Sequence, residues 1–106
     1  MDTGNGFAAI IRRYTDNFAF GLVDGVQVRR EKFGLLFYDY KGPKIYFVPS
    51  GGLVGEDFFG GINTLGQLAD GLEIEHRLPR KKILTHLESL LEKLETKGLI
   101  HGQPLC

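Results

Sequence analysis

Residues 26–32 alternate in character. Val26 and Val28 fall on one side and Gln27 and Arg29 on the other, which is the period of a half-buried strand. Gly34 permits a tight connection, and residues 35–40 (Leu35-Leu36-Phe37-Tyr38-Asp39-Tyr40) are dense in side chains that suit a pleated surface. Lys41-Gly42-Pro43-Lys44 has turn chemistry. A third strand follows over residues 45–48. Pro49 has no N–H to donate, so it closes that strand and suits an edge position. The pattern predicts a three-stranded antiparallel meander, which becomes stable once helices cover one face.

Beyond Pro49 the period lengthens. Ser50 is a helix N-cap candidate, and Leu53, Val54, Phe58 and Phe59 form the apolar side of a short predicted helix ending at Gly60-Gly61. Thr64 and Gln67 have capping-box spacing and open a second helix through Leu65, Leu68 and Ala69, stopped near Gly71. Residues 72–78 read as a connector. Pro79 suits the first turn of a third helix running to Lys97. Its apolar face is Ile83, Leu87, Leu90 and Leu94, with Leu84 and Leu91 beside it. Lys93 and Lys97 suit its negative C-terminal end, Gly98 is a left-handed cap, and Leu99 and Ile100 fold back on the helix. Upstream, Phe7, Ile10, Ile11 and Tyr14 have helical spacing after a polar, frayed start. Strands first and helices afterwards predict an α+β fold: a three-stranded antiparallel sheet followed by three helices.

With 106 residues the chain has the length of one domain with a small core. No apolar run approaches the 18 residues or so that suggest a membrane span, and residues 1–5 lack a signal-peptide pattern. The single cysteine, Cys106, allows no disulfide within the chain and suits a reducing cytosol, so a cytoplasmic protein is expected. Net charge is zero, but its distribution is uneven. Arg29, Arg30, Lys32, Lys41 and Lys44 cluster around the strands. Glu56, Asp57, Asp70, Glu73 and Glu75 follow, and then Arg77, Arg80, Lys81 and Lys82. The basic segments are either solvated surface or the two flanks of a groove that favours an acidic partner.

Catalytic signals are lacking. His76, His86 and His101 have no companions at metal-ligand spacing, and no nucleophile stands beside a base in a recognisable context. Glu56-Asp57 reads as a solvated pair, and the glycines match no phosphate-binding spacing. The reading is a non-enzyme without metal, cofactor or membrane span. Arg80-Lys81-Lys82 suits phosphate contact, but net neutrality and the acidic middle argue against nucleic acid.

From Gly25 to Ile100 the order of segments is similar to the PqqD-like peptide chaperones, also called RiPP recognition elements. The residues that carry this are Val26-Gln27-Val28-Arg29, Phe33-Gly34-Leu35-Leu36-Phe37-Tyr38, Lys44-Ile45-Tyr46-Phe47-Val48 and Thr64-Leu65-Gly66-Gln67-Leu68, with the closing Leu90-Leu91-Glu92-Lys93-Leu94-Glu95-Thr96-Lys97-Gly98-Leu99-Ile100. Within that family, residues 30–38 resemble most the mycofactocin peptide chaperones. The resemblance implies a winged-helix-like fold without catalytic activity. It also implies binding of a precursor-peptide leader by strand addition and its presentation to a radical SAM maturase. Carried over, the leader-facing positions are Lys44, Ile45, Tyr46, Phe47 and Val48. Across the groove they are Arg80, Lys81, Leu84, Leu87 and Leu91. Residues 1–17 form an N-terminal extension before a peptide-binding domain of residues 18–106. The extension reads as a tail, as a packed helix, or as a segment docking in the groove of this chain or a neighbour. The last option would give a homodimer through strand or N-terminal segment exchange. Two other readings stay open: a winged-helix nucleic-acid-binding protein, and an interaction module of another enzyme's subunits.

Overall fold

The structure, a computed structural model, describes residues 14–49 and 53–105. Six strands and two α-helices make up the described fold: β1 (Phe18–Leu22), β2 (Val26–Glu31), β3 (Gly34–Asp39), β4 (Lys44–Val48), a 3-10 turn (Glu56–Phe59), β5 (Gly60–Thr64), α1 (Leu65–His76), α2 (Arg80–Thr96) and β6 (Ile100–Pro104). The strands form two antiparallel three-stranded sheets, ordered β5-β1-β6 and β2-β3-β4.

The class is α+β, but the expected winged-helix-like arrangement of one sheet followed by three helices is overturned. The meander of residues 26–48 is present and forms the second sheet, in continuous register with Val28 opposite Phe37 and Phe37 opposite Tyr46. The first sheet departs from expectation. Phe18–Leu22 is a strand because it pairs over five positions with Ile100–Pro104, from Phe18 opposite Pro104 to Leu22 opposite Ile100. A pairing between the two ends of the chain leaves no local signal. The helix expected through Leu53 and Phe59 is a single 3-10 turn that runs into β5. Gly61, at φ +80°, takes a backbone shape that suits glycine and ends helical geometry there. The helix after Thr64 does not stop at Gly71 but continues to His76, and ends at Arg77 in the left-handed region (φ 54°). Nothing lies near the open side of Gly71, so it disrupts no contact. The expected helix over residues 7–14 and the Ser50 cap lie outside the described residues, apart from Tyr14.

Two helix termini follow their local sequence. The Gln67 N–H donates to Thr64 Oγ1 (3.2 Å) while the Thr64 N–H donates to Gln67 Oε1 (2.9 Å), a complete capping box. At the end of α2 the Leu99 N–H donates to the Leu94 carbonyl and the Gly98 N–H to the Glu95 carbonyl, both at 3.0 Å. With Gly98 at φ +77°, this is a Schellman cap.

One core serves both sheets. Phe20 of the first sheet and Phe37 of the second have no exposed surface. They are joined by the 3-10 turn: Phe20 to Phe58 at 5.7 Å between ring centroids, Phe58 to Phe59 at 5.5 Å, and Phe59 to Phe37 at 5.3 Å. The last two contacts are edge-on, a favoured aromatic geometry. Leu87, Leu91 and Leu94 of α2 close the core. Tyr14 is buried ahead of β1 and its hydroxyl donates to Glu95 of α2 (2.6 Å), so the end of the expected extension is docked on the domain.

Candidate functional site

Two open sheets leave four edge strands among the described residues: β5, β6, β2 and β4. An edge presents unpaired N–H and C=O groups, and proteins usually blunt it with charge, proline, glycine or irregularity. β5 begins with Gly60-Gly61 and pairs with β1 through an irregular register. β6 contains Gly102 and ends at Pro104. β2 carries Arg29, Arg30 and Glu31, with Arg29 Nε donating to Glu31 at 2.7 Å. β4 differs from these three. After Lys44 it reads Ile45-Tyr46-Phe47-Val48, with no charge, glycine or proline within the run; like β2 and β6 it pairs in regular register.

The two faces of β4 have different surroundings. Ile45 and Phe47 point away from the core and are 63% and 43% exposed; Ile62 of β5 is exposed as well, but alone on its strand, whereas Ile45 and Phe47 lie side by side on one face of β4. They continue cross-strand rows: Gln27, Tyr38 and Ile45 in one, Arg29, Leu36 and Phe47 in the other. Tyr40 packs against Tyr38 in a tilted arrangement with ring centroids 4.4 Å apart, and these rings border a shallow depression with Gln27, Arg29, Leu36 and Ile45. On the inward side, Val48 is buried and Tyr46 packs against the core. The ammonium of Lys97 stands 4.5 Å from the centre of the Tyr46 ring. Gly34 fixes the end of this strand. A Cβ built on it would lie 2.0 Å from the Val48 carbonyl oxygen, so only glycine lets β3 approach β4 there.

The residues expected across the groove are distributed otherwise. Leu87 and Leu91 have no exposed surface and Leu84 has 7%; all three hold α2 on the core. Arg80 lies in a cluster of carboxylates, donating to Asp70 (2.5 Å), Glu73 (2.6 Å) and Asp16 (3.3 Å). Hydrogen bonds to Asp70 and Glu73, the largest effects, and to Asp16 hold its guanidinium pKa above an already high value. That cation ties α1 and the segment before β1 to the start of α2. It also leaves the Arg80-Lys81-Lys82 run one free cation poorer for phosphate contact. Lys81 is exposed.

Lys97 stands about 25 Å along the helix from Arg80, at 1.5 Å per residue. It is therefore the C-terminal end of α2, not its start, that reaches β4. The helix surface there carries Ser89, Glu92, Lys93, Thr96 and Lys97. Lys93 and Lys97 were legible in sequence only as complements to the helix dipole. Their position beside Tyr46 depends on the direction in which α2 crosses the sheet.

Elsewhere the titratable groups form local pairs. Lys41 Nζ donates to Asp24 at 2.5 Å; that hydrogen bond lowers the Asp24 pKa and raises that of Lys41. His76 stands 3.7 Å from Glu75, and the His101 ring closes over Gly21. Among the described residues no group of three His, Cys, Asp or Glu is placed to hold a metal, and no helix is long and apolar enough to cross a membrane. Compared with protein-family models, curated proteins and solved structures, the chain shows no significant match. The resemblance to the PqqD-like chaperones rests on the order of segments quoted above.

Proposed function

We propose that this protein is a non-enzymatic peptide-binding module that accepts an extended segment of another chain as a new strand beside β4. The observation that carries the reading is the contrast among the four edges. β5 has an irregular register, β2 is charged, and β6 contains a glycine and ends in proline, whereas β4 combines a regular register with an uninterrupted apolar run from Ile45 to Val48, of which Ile45 and Phe47 are exposed. Roughly half of an edge strand's backbone groups face away from its partner, and an incoming strand satisfies them by β-augmentation. Backbone pairing supplies affinity, and the side chains flanking the edge supply register. In this reading Lys44, Ile45, Tyr46 and Phe47 meet the peptide directly, and Val48 anchors the end of the strand in the core. The resemblance to PqqD-like chaperones is what supports reading the occupant as the leader of a ribosomally made precursor peptide, held in the cytoplasm for a radical SAM maturase.

The test is an amide NMR titration with a short precursor peptide encoded beside the gene. Shifts are expected at residues 44–48, their β3 partners and the turn bearing Lys97. Shifts confined to α1 and the start of α2 would place the site elsewhere. Raising salt separates this reading from nucleic-acid binding, whose affinity falls steeply with ionic strength.

A further inference from the structure

The surroundings of β4 also specify what kind of peptide fits, an inference that rests on strand addition at that edge. Successive residues of an added strand point to opposite faces, and directly opposed side chains lie about 5 Å apart. Next to Ile45 and Phe47, the added strand's outward residues meet an apolar surface that continues into Leu36, Tyr38 and Tyr40. Next to Tyr46, the residue between them turns inward, toward the ammonium of Lys97. Lys44 is on the same inward phase as Tyr46, two positions away. Among the described residues neither Lys44 nor Lys97 has a carboxylate within ion-pair distance.

We infer that the β4 edge selects an apolar–acidic–apolar tripeptide. Large apolar or aromatic residues stand beside Ile45 and Phe47, and a carboxylate between them enters the space bounded by Tyr46, Lys97 and Lys44. A slip of one residue would place the carboxylate on the apolar outer surface and an apolar side chain between two lysines, so the pattern fixes register as well as identity. The same lysines disfavour β4 of a second copy as the occupant. A symmetric antiparallel pair centred on Tyr46 would bring the two Lys97 ammonium groups toward each other.

Three acetylated, amidated heptapeptides test this: Ser-Thr-Phe-Glu-Phe-Thr-Ser, its phase-shifted relative Ser-Thr-Glu-Phe-Glu-Thr-Ser, and the charge-reversed Ser-Thr-Phe-Lys-Phe-Thr-Ser. Affinities are read from amide shifts of the full chain, together with the Lys97 side-chain methylene signals. The first peptide should bind at least tenfold more tightly than either of the others and move Tyr46, Phe47 and the Lys97 methylenes. Lys97→Gln should reduce its advantage over the charge-reversed peptide to less than threefold while the rest of the spectrum stays native. Equal binding of all three with the same β4 shifts would overturn the selectivity and leave strand addition standing. If no peptide moved β4, strand addition itself would fall, and the selectivity with it.

Discussion

Gly34 shows what a single position decides. A methyl group there would collide with the Val48 carbonyl oxygen, so Gly34→Ala must push β4 away from β3. Such overpacking costs about 1–3 kcal/mol. The expected outcome is a lower urea midpoint, with the amide shifts of β4 changed more than those of β6. Phe59 has a different role, bridging Phe58 to Phe37 in a buried aromatic relay. Phe59→Ala should cost about 3–5 kcal/mol, a large part of the 5–15 kcal/mol or so that a domain has in total. Thr64→Ala removes half of the capping box and should cost about 1 kcal/mol, read as a small drop in melting temperature with the fold intact. These residue-scale features were legible in sequence to unequal degrees. Thr64, Gln67 and Gly98 sit in motifs whose partners lie within five residues, so reading the chain locally finds them. The requirement at Gly34 depends on Val48, and that at Phe59 on Phe37, so their full roles appear only in the fold.

At the scale of elements, β2 was legible from its alternation, β3 and β4 from their strand-favouring residues and the turn that joins them. β1 and β6 were not, since their pairing joins opposite ends of the chain. β5 was hidden by two glycines, and the turn before it by a Phe58-Phe59 pair that satisfies a helical period as well as a turn. The candidate site divided in the same way. Residues 44–48 could be read as an edge strand from the turn before them and the closing Pro49. Which part of α2 faces them could not, because one apolar stripe is compatible with either direction of crossing. The stripe of Leu84, Leu87 and Leu91 is core, and the helix's contribution at β4 comes from Lys97. Ile45 and Phe47 are exposed, so replacing both with threonine, which keeps strand propensity, should leave the melting temperature nearly unchanged. Peptide affinity should fall at least tenfold. Isothermal titration with the same peptide checks this, and a large loss of stability without loss of affinity would reverse the roles given to these side chains.

At the scale of the molecule, the two sheets share one core through the phenylalanines of the 3-10 turn, and α2 packs against both the core and β6. The core therefore holds β4 from one side, and among the described residues no strand pairs with its other backbone edge, the edge proposed to take the peptide. That arrangement is the central claim, and hydrogen exchange of the β4 amides measures it most directly. In the free protein, the amides of residues 44–48 that do not donate to β3 should exchange rapidly, while those of β3 stay protected. Saturation with the apolar–acidic–apolar peptide should slow those β4 amides at least tenfold and leave β2 and β5 unchanged. Peptide binding that left every β4 amide exchanging at its free rate would contradict strand addition.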